Sequence, residues 1–111
     1  MRRVDEAVRE VLGDAVSKDL KDPRVGFVTV TEVRTSADLR QARVFVSVFG
    51  TEEEQAATLE GLASAHGILQ GRIARELRMK HTPALVFRLD DTAEKAAKLE
   101  AIIEDVTEDD D

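Results

Sequence analysis

At 111 residues, 42% of them hydrophobic, the chain has room for one domain and one modest core, which excludes a catalytic cleft between two domains. No apolar run approaches the roughly 20 residues a membrane helix needs, and the lack of cysteine excludes disulfides, a thiol nucleophile and thiolate metal ligation. The net charge of −7 opposes a nucleic-acid partner only as a sum: residues 66–89 carry five cations against one acid, while residues 90–111 carry two against ten.

Met1-Arg2-Arg3 leads straight into an amphipathic stretch, so no secretory signal is expected and a cytoplasmic location is the default. From Val4 to Leu20 the positions Val4, Val8, Val11, Leu12, Ala15 and Val16 keep the spacing of one helical face, and Asp22-Pro23 should stop that helix. Two runs rich in β-branched and aromatic residues follow, Val25 to Val33 and Gln41 to Phe49, separated by Thr35-Ser36-Ala37-Asp38. They predict a hairpin. In the second run Val44, Val46 and Val48 face one way and Phe45 and Phe49 the other, a two-sided apolarity that suits a central strand.

Thr51 and Glu54 have the spacing of a capping box at the start of a long helical stretch. Its stripe of Leu59, Leu62, Leu69, Ile73 and Leu77 holds phase for about 27 residues, or about 40 Å, too long for a body of this size. Gly61, Gly67 and Gly71 each weaken a helix by about 1 kcal/mol relative to alanine, and the bend is placed at Gly67. After Thr82-Pro83, Leu85 to Leu89 predicts a third strand with Leu85, Phe87 and Leu89 on one face. Asp91 is expected to cap a last helix with the stripe Ala96, Leu99, Ile103 and Val106, and Glu108 to Asp111 to be disordered. The order helix, strand, strand, bent helix pair, strand, helix predicts an α+β two-layer sandwich over residues 1–106. Its three-stranded mixed sheet should carry the helices on one face, with the second and third strands parallel through a right-handed crossover. Residues 107–111 form the acidic tail.

Arg72, Arg75 and Arg78 recur every three residues, turning slowly away from the Leu69-Ile73-Leu77 line, and Lys80 and His81 extend the stripe. Guanidinium groups meet phosphate oxygens bidentately, so such a row could follow a nucleic-acid backbone. A solvated helix face with a cationic C-terminal end is the plainer reading, and the stripe alone does not exclude it. If the second half-helix begins within Ala65-His66-Gly67, its backbone N–H groups could meet a phosphate, although a lone glycine is equally well a packing feature. Phe27, Phe45 and Phe49 could stack bases, but core packing is the better account of them. Asp90-Asp91 has no third acidic ligand placed by spacing, and His66 and His81 have neither a nearby nucleophile nor a metal-ligand motif. No glycine-rich phosphate loop is present. No enzyme activity, cofactor, metal, small-molecule substrate or membrane partner is therefore expected.

Four segments in one register carry a family resemblance: Lys21 to Thr31 (KDPRVGFVTVT), Asp38 to Gly50 (DLRQARVFVSVFG), Ala65 to Leu69 (AHGIL) and Leu77 to Leu85 (LRMKHTPAL). Together they resemble ribosome-binding factor A, and the match covers nearly all of residues 2–106. The resemblance implies a type II KH-like fold in which an Ala-x-Gly kink, here Ala65-His66-Gly67, replaces the usual Gly-x-x-Gly loop. It also implies binding to the free, immature small (30S) ribosomal subunit and its 16S rRNA, late maturation including processing of the rRNA 5′ end, and a role in growth in the cold. The expected RNA contacts are Ala65, His66, Gly67, Arg72, Arg75, Arg78 and Lys80, with Arg40 and Arg43 on the hairpin, in a monomer. The chain departs from the pattern in having almost no basic extension before its first helix and an acidic end. A KH-like module for another structured RNA, or a protein-interaction module docking a basic partner, remains the alternative.

Overall fold

The computed structural model describes residues 2–92, 96, 97 and 99–101. Its first element, α1 (Arg2–Lys18), buries Val8, Val11, Leu12, Ala15 and Val16, the face that the sequence spacing marks out. The helix ends at Lys18, two residues before the expected limit. A turn then reverses the chain: Val25 N–H donates to Asp22 O at 3.0 Å, with Pro23 in the second position where its fixed φ is favoured. The Asp22 carboxylate accepts from Arg24 N–H at 2.9 Å and from the Arg24 guanidinium at 2.7 to 3.1 Å. These bonds hold the Asp22 carboxyl below its ordinary pKa.

The first strand, β1 (Val28–Thr35), begins three residues later than expected because residues 24–26 serve another contact. Thr58 on the following helix, only 1% exposed, accepts from Gly26 N–H at 3.3 Å and donates to Arg24 O at 3.1 Å. Beside it Val25 lies over Gly61, where an added Cβ would come within 2.7 Å of the valine Cγ2. Of the helix-weakening glycines, Gly61 is therefore the one that packing requires. Antiparallel to β1 runs β2 (Gln41–Val48), with Val28 opposite Val48 and Val33 opposite Val44. A bulge at Thr31 shifts the register, which lets Val30 and Val33 both face the core three residues apart.

The next helix, α2 (Glu52–Ser64), starts with the expected capping box between Thr51 and Glu54. It stops at Ala65, and α3 (His66–Leu77) follows directly. The break thus lies within the expected segment but at Ala65 rather than Gly67. Ala65 takes φ −90° and ψ 7°, and its N–H is shared between Gly61 O and Leu62 O. Its small side chain is buried, so the chain bends around a core residue while Leu62, Leu69 and Ile73 stay on one apolar line. Gly67 is not needed for the bend: a Cβ there would meet nothing within 4 Å.

The last described strand, β3 (Ala84–Leu89), runs parallel to β2 with Gln41 opposite Ala84 and Val46 opposite Leu89. The sheet order is β1-β2-β3, with α1 packed on β1 and α3, and α2 and α3 on β3. This is the expected α+β sandwich with a mixed sheet. Its core lies between the helices and the inward valines Val30, Val33, Val44, Val46 and Val48. The expected core role of the phenylalanines is corrected: Phe27 and Phe49 are each 83% exposed, and Phe45 is half-buried with the Arg34 guanidinium 5.7 Å from its ring centre. No described helix covers the outer face of the sheet, so alternation that looked two-sided in sequence places Phe45 at a surface. The helix expected after Asp91 falls mostly outside the described residues, as do Ile103, Val106 and the tail; Ala96 and Leu99 are described and exposed. Among the described residues no helix is long and apolar enough to cross a membrane.

Candidate nucleic-acid interface

The arginine row on α3 does not act as one stripe. Arg72 is turned toward α1, where its guanidinium pairs with Asp14, with Asp19 at 2.8 Å and with Glu76 on its own helix at 2.5 Å. Its side chain is 17% exposed. With three carboxylates around it, its pKa is raised further and its charge is neutralised locally. Lys18 completes the network at 2.8 Å from Asp14, and its bond, followed by that from Arg72, lowers the Asp14 pKa. Arg72 was expected to lie free of the core line and meet phosphate. Instead it ties α3 to α1, because Asp14 on α1 and Asp19 just past its end meet it across the helix seam.

Arg75, Arg78 and Lys80 carry no ion pair among the described residues. Arg78 closes α3 in the left-handed region at φ 50°, its N–H donating to Ala74 O at 3.0 Å, and so sends the chain away from the helix axis. Lys80, His81 and Thr82 then lie across a groove from Asp38, Leu39 and Arg40 of the β1–β2 turn. Ala84 N–H donates to Arg40 O at 2.8 Å and fixes the two loops together where the parallel pair begins. The turn is rigid. Ser36 N–H donates to Gln41 O, the Ser36 hydroxyl to Asp38, and Asp38 also accepts Arg40 N–H at 3.1 Å. The bonds from the Ser36 hydroxyl and then from Arg40 N–H lower the Asp38 pKa. The Arg40 side chain is 87% exposed, and its only ion contact among the described residues is Asp38 at 4.0 Å.

From this rim the outer sheet face carries further cations. Arg43 lies opposite Arg34 across the antiparallel pair, and Arg88 opposite Phe45 across the parallel one. Like charges placed directly opposite destabilise a sheet unless something answers them. Glu32 answers Arg34 at 2.9 Å, while Arg43 and Arg88 have no ion pair among the described residues. Arg88 and Arg34 were missed from the sequence, although strict alternation from Leu85 and Phe87 would have turned Val86 and Arg88 outward together.

The kink lies at the opposite end of α3, whose 12 residues span about 18 Å at 1.5 Å per residue. Ala65, its N-cap residue, makes no side-chain cap bond, which leaves the first turn of α3 without a capping acceptor. His66 turns back on α2, with Nδ1 2.9 Å from Ala63 O. Ile68 beside it is 56% exposed, and Lys21 lines the same groove. Ala65, His66 and Gly67 therefore form one surface feature, and Arg40, Arg43 and Lys80 another, with Arg75 and Arg78 on the helix between them.

Among the described residues no group of three or more acids and histidines could hold a metal ion. The arrangement is a basic, partly aromatic surface of exposed side chains on a hydrogen-bonded backbone. Such a surface holds a polyanion by charge and a base by stacking.

A family model described as ribosome-binding factor A matches residues 1–103. Ribosome-binding factor A of Brevibacillus brevis is 45% identical over 105 residues, covering 95% of this chain and 87% of that protein. Its counterpart in Halothermothrix orenii is 40% identical over 107 residues, covering 96% and 88%. The crystal structure of ribosome-binding factor A from Thermus thermophilus superposes with a TM-score of 0.71 at 31% identity, covering 79% of this chain and 92% of that one. A homology model of the Thermus thermophilus factor, as fitted into the cryo-EM map of a 30S complex of that factor, gives 0.65 at 31% identity, covering 78% and 91%. These structures share the mixed sheet and helix arrangement described above, consistent with a KH-like fold. By sequence over nearly its whole length, and by fold, the chain belongs to the ribosome-binding factor A family.

Proposed function

We propose that the chain binds the immature small ribosomal subunit through its 16S rRNA and promotes late maturation, including processing of the rRNA 5′ end. The observation that carries this reading is the convergence of Arg40, Arg43, Lys80 and Arg88, cations with at most a 4.0 Å ion contact among the described residues, at one end and outer face of a chain whose net charge is −7. A surplus of exposed positive charge kept apart from so many acids suits a phosphate backbone. The 30S complex of the Thermus thermophilus relative supports the choice of partner.

In this reading Arg40, Arg43, Arg78 and Lys80 grip phosphates, Arg75 and the Ala65-His66-Gly67 kink extend the contact along α3, and Arg72 keeps α3 in place. Residues 1–106 act as one RNA-binding domain, a monomer, and residues 107–111 as an acidic tail outside the contact. The protein acts in the cytoplasm by binding, with no turnover, and its effect is greatest in the cold, when RNA structures rearrange slowly.

Two experiments test it. In sedimented cell extract the protein should travel with free small subunits, and cells lacking it should accumulate 16S rRNA with an unprocessed 5′ end, more at low temperature. Absence from the small-subunit fraction would contradict the partner. Purified protein incubated with precursor rRNA should leave it uncut; cleavage that disappears on changing Asp90 or Asp91 would establish an enzyme instead.

A further inference from the structure

Beyond the cationic surface, the structure carries a second exposed patch of opposite character. Phe27 and Phe49 are each 83% exposed and lie side by side, with Phe49 N–H donating to Phe27 O at 3.0 Å just past the last β1–β2 pair. One exposed aromatic needs no explanation; two held together by a backbone hydrogen bond form a hydrophobic patch that water disfavours. They share a groove with Pro23, Gly26, Ala57 and Glu54.

The rim of that groove is acidic. Glu54 lines it, and Glu52 and Glu53 are exposed beside Glu54 in the first turn of α2, where all three also suit the helix dipole; residues 51–65 hold four acids and no cation. Glu54 is engaged in the capping box, whereas Glu52 and Glu53 have no ion pair among the described residues. The one arginine on the groove, Arg24, is held by Asp22 at 2.7 Å and by the Ser64 hydroxyl at 3.1 Å. A nucleic-acid backbone would be repelled here. We propose that the Phe27–Phe49 face docks a basic protein segment whose apolar side chains cover the two rings and whose Lys or Arg side chains meet Glu52 and Glu53. Resting on the small-subunit reading above, the occupant is assigned to a basic protein of that subunit, so that the cationic surface holds rRNA and this acidic, apolar face holds protein.

The test uses the full chain, immobilised, with two probes: the mixed proteins extracted free of rRNA from purified small subunits, and protein-free 16S rRNA. The wild type should retain a defined basic protein, identified by mass spectrometry. Phe27→Ser with Phe49→Ser should weaken that retention by about tenfold or more. Glu52→Gln with Glu53→Gln, which leaves both rings in place and guards against a folding artefact, should weaken it at low salt and converge with wild type at high salt. Neither variant should change rRNA affinity by more than about twofold, since neither removes a cation. Loss of rRNA affinity in the phenylalanine variant with protein retention intact would mean that the rings stack bases, and the proposal would fall. Retention of no protein by a wild type that still binds rRNA would also overturn it while leaving the small-subunit reading standing; failure to bind either probe would sink both.

Discussion

Arg72 and Lys80 are eight residues apart, belong to the same basic segment and stand in opposite surroundings. Arg72 faces a seam where three carboxylates meet it and only 17% of its side chain reaches solvent. Lys80 lies past the helix end, across a groove from Arg40, with no ion pair among the described residues. The difference teaches that a cation's role is set by the acids that the fold brings to it, which spacing along one helix cannot reveal. Exposed pairs stabilise little, but a half-buried guanidinium answering one carboxylate on another helix and one just past its end holds that helix in place.

The largest effect should come from breaking the seam. Arg72→Ala leaves Asp14 and Asp19 facing each other without their shared partner, and the melting temperature should fall by about 10 °C, read by thermal circular dichroism. Arg72→Lys should recover only part of it, because an ammonium cannot serve three carboxylates in a planar fork. A melting temperature within about 2 °C of wild type would return Arg72 to the free cations.

A smaller contrast separates two glycines near the kink. Gly61→Ala pushes a Cβ to 2.7 Å from Val25 and should destabilise by about 1 to 3 kcal/mol in chemical denaturation. Gly67→Ala enters open space and should be neutral or stabilising by up to about 1 kcal/mol. If it weakens rRNA binding while leaving stability intact, the kink is a place of close approach to RNA. Equal destabilisation by both changes would contradict the packing described here.

The smallest effect concerns Asp90, which ties the Thr31 bulge to the end of β3. Bonds from the Thr92 hydroxyl, the Thr31 hydroxyl and Thr92 N–H hold its carboxyl down at about 2, against an ordinary value of 3.8. With the folded-state value depressed, its contribution is fully present above the ordinary value and is lost as pH falls from there toward about 2. The stability gap between wild type and Asp90→Asn should therefore be present at neutral pH and close over that acid range in pH-dependent denaturation. A gap unchanged down to about pH 2 would mean that the carboxylate charge plays no part.

Much of this fold was legible in the sequence. The α1 face, the capping box at Thr51, the hairpin and the parallel third strand follow from periodicity and turn chemistry, which are local. Two features were not. The late start of β1 depends on Thr58, a residue 32 positions from the Gly26 N–H it accepts, so no local pattern signals it. The exposure of Phe27 and Phe49 depends on where the β1–β2 pairing ends, since both lie just past it, and for Phe45 alternation gives two faces without saying which is wet. The candidate site divided in the same way. Residue types were visible, and Arg40, Arg43 and Lys80 were singled out, but their convergence at the start of the β2–β3 pair is a fact of topology. The pairing of Arg72 across the seam is not legible in the sequence, because its partners Asp14 and Asp19 lie more than 50 residues away in the chain.

The most direct measurement is the salt dependence of binding to free small subunits for wild type, Arg40→Ala with Lys80→Ala, and Arg72→Ala, each compared at a temperature where it is folded. The paired change at the rim should weaken binding and lower the slope of log affinity against log salt by about 1.4 to 1.8, at 0.7 to 0.9 for each lost phosphate contact, with no loss of melting temperature. Arg72→Ala should keep the wild-type slope. A rim variant with an unchanged slope, beside an Arg72 variant whose slope falls, would contradict the division between a neutralised seam and a free cationic rim.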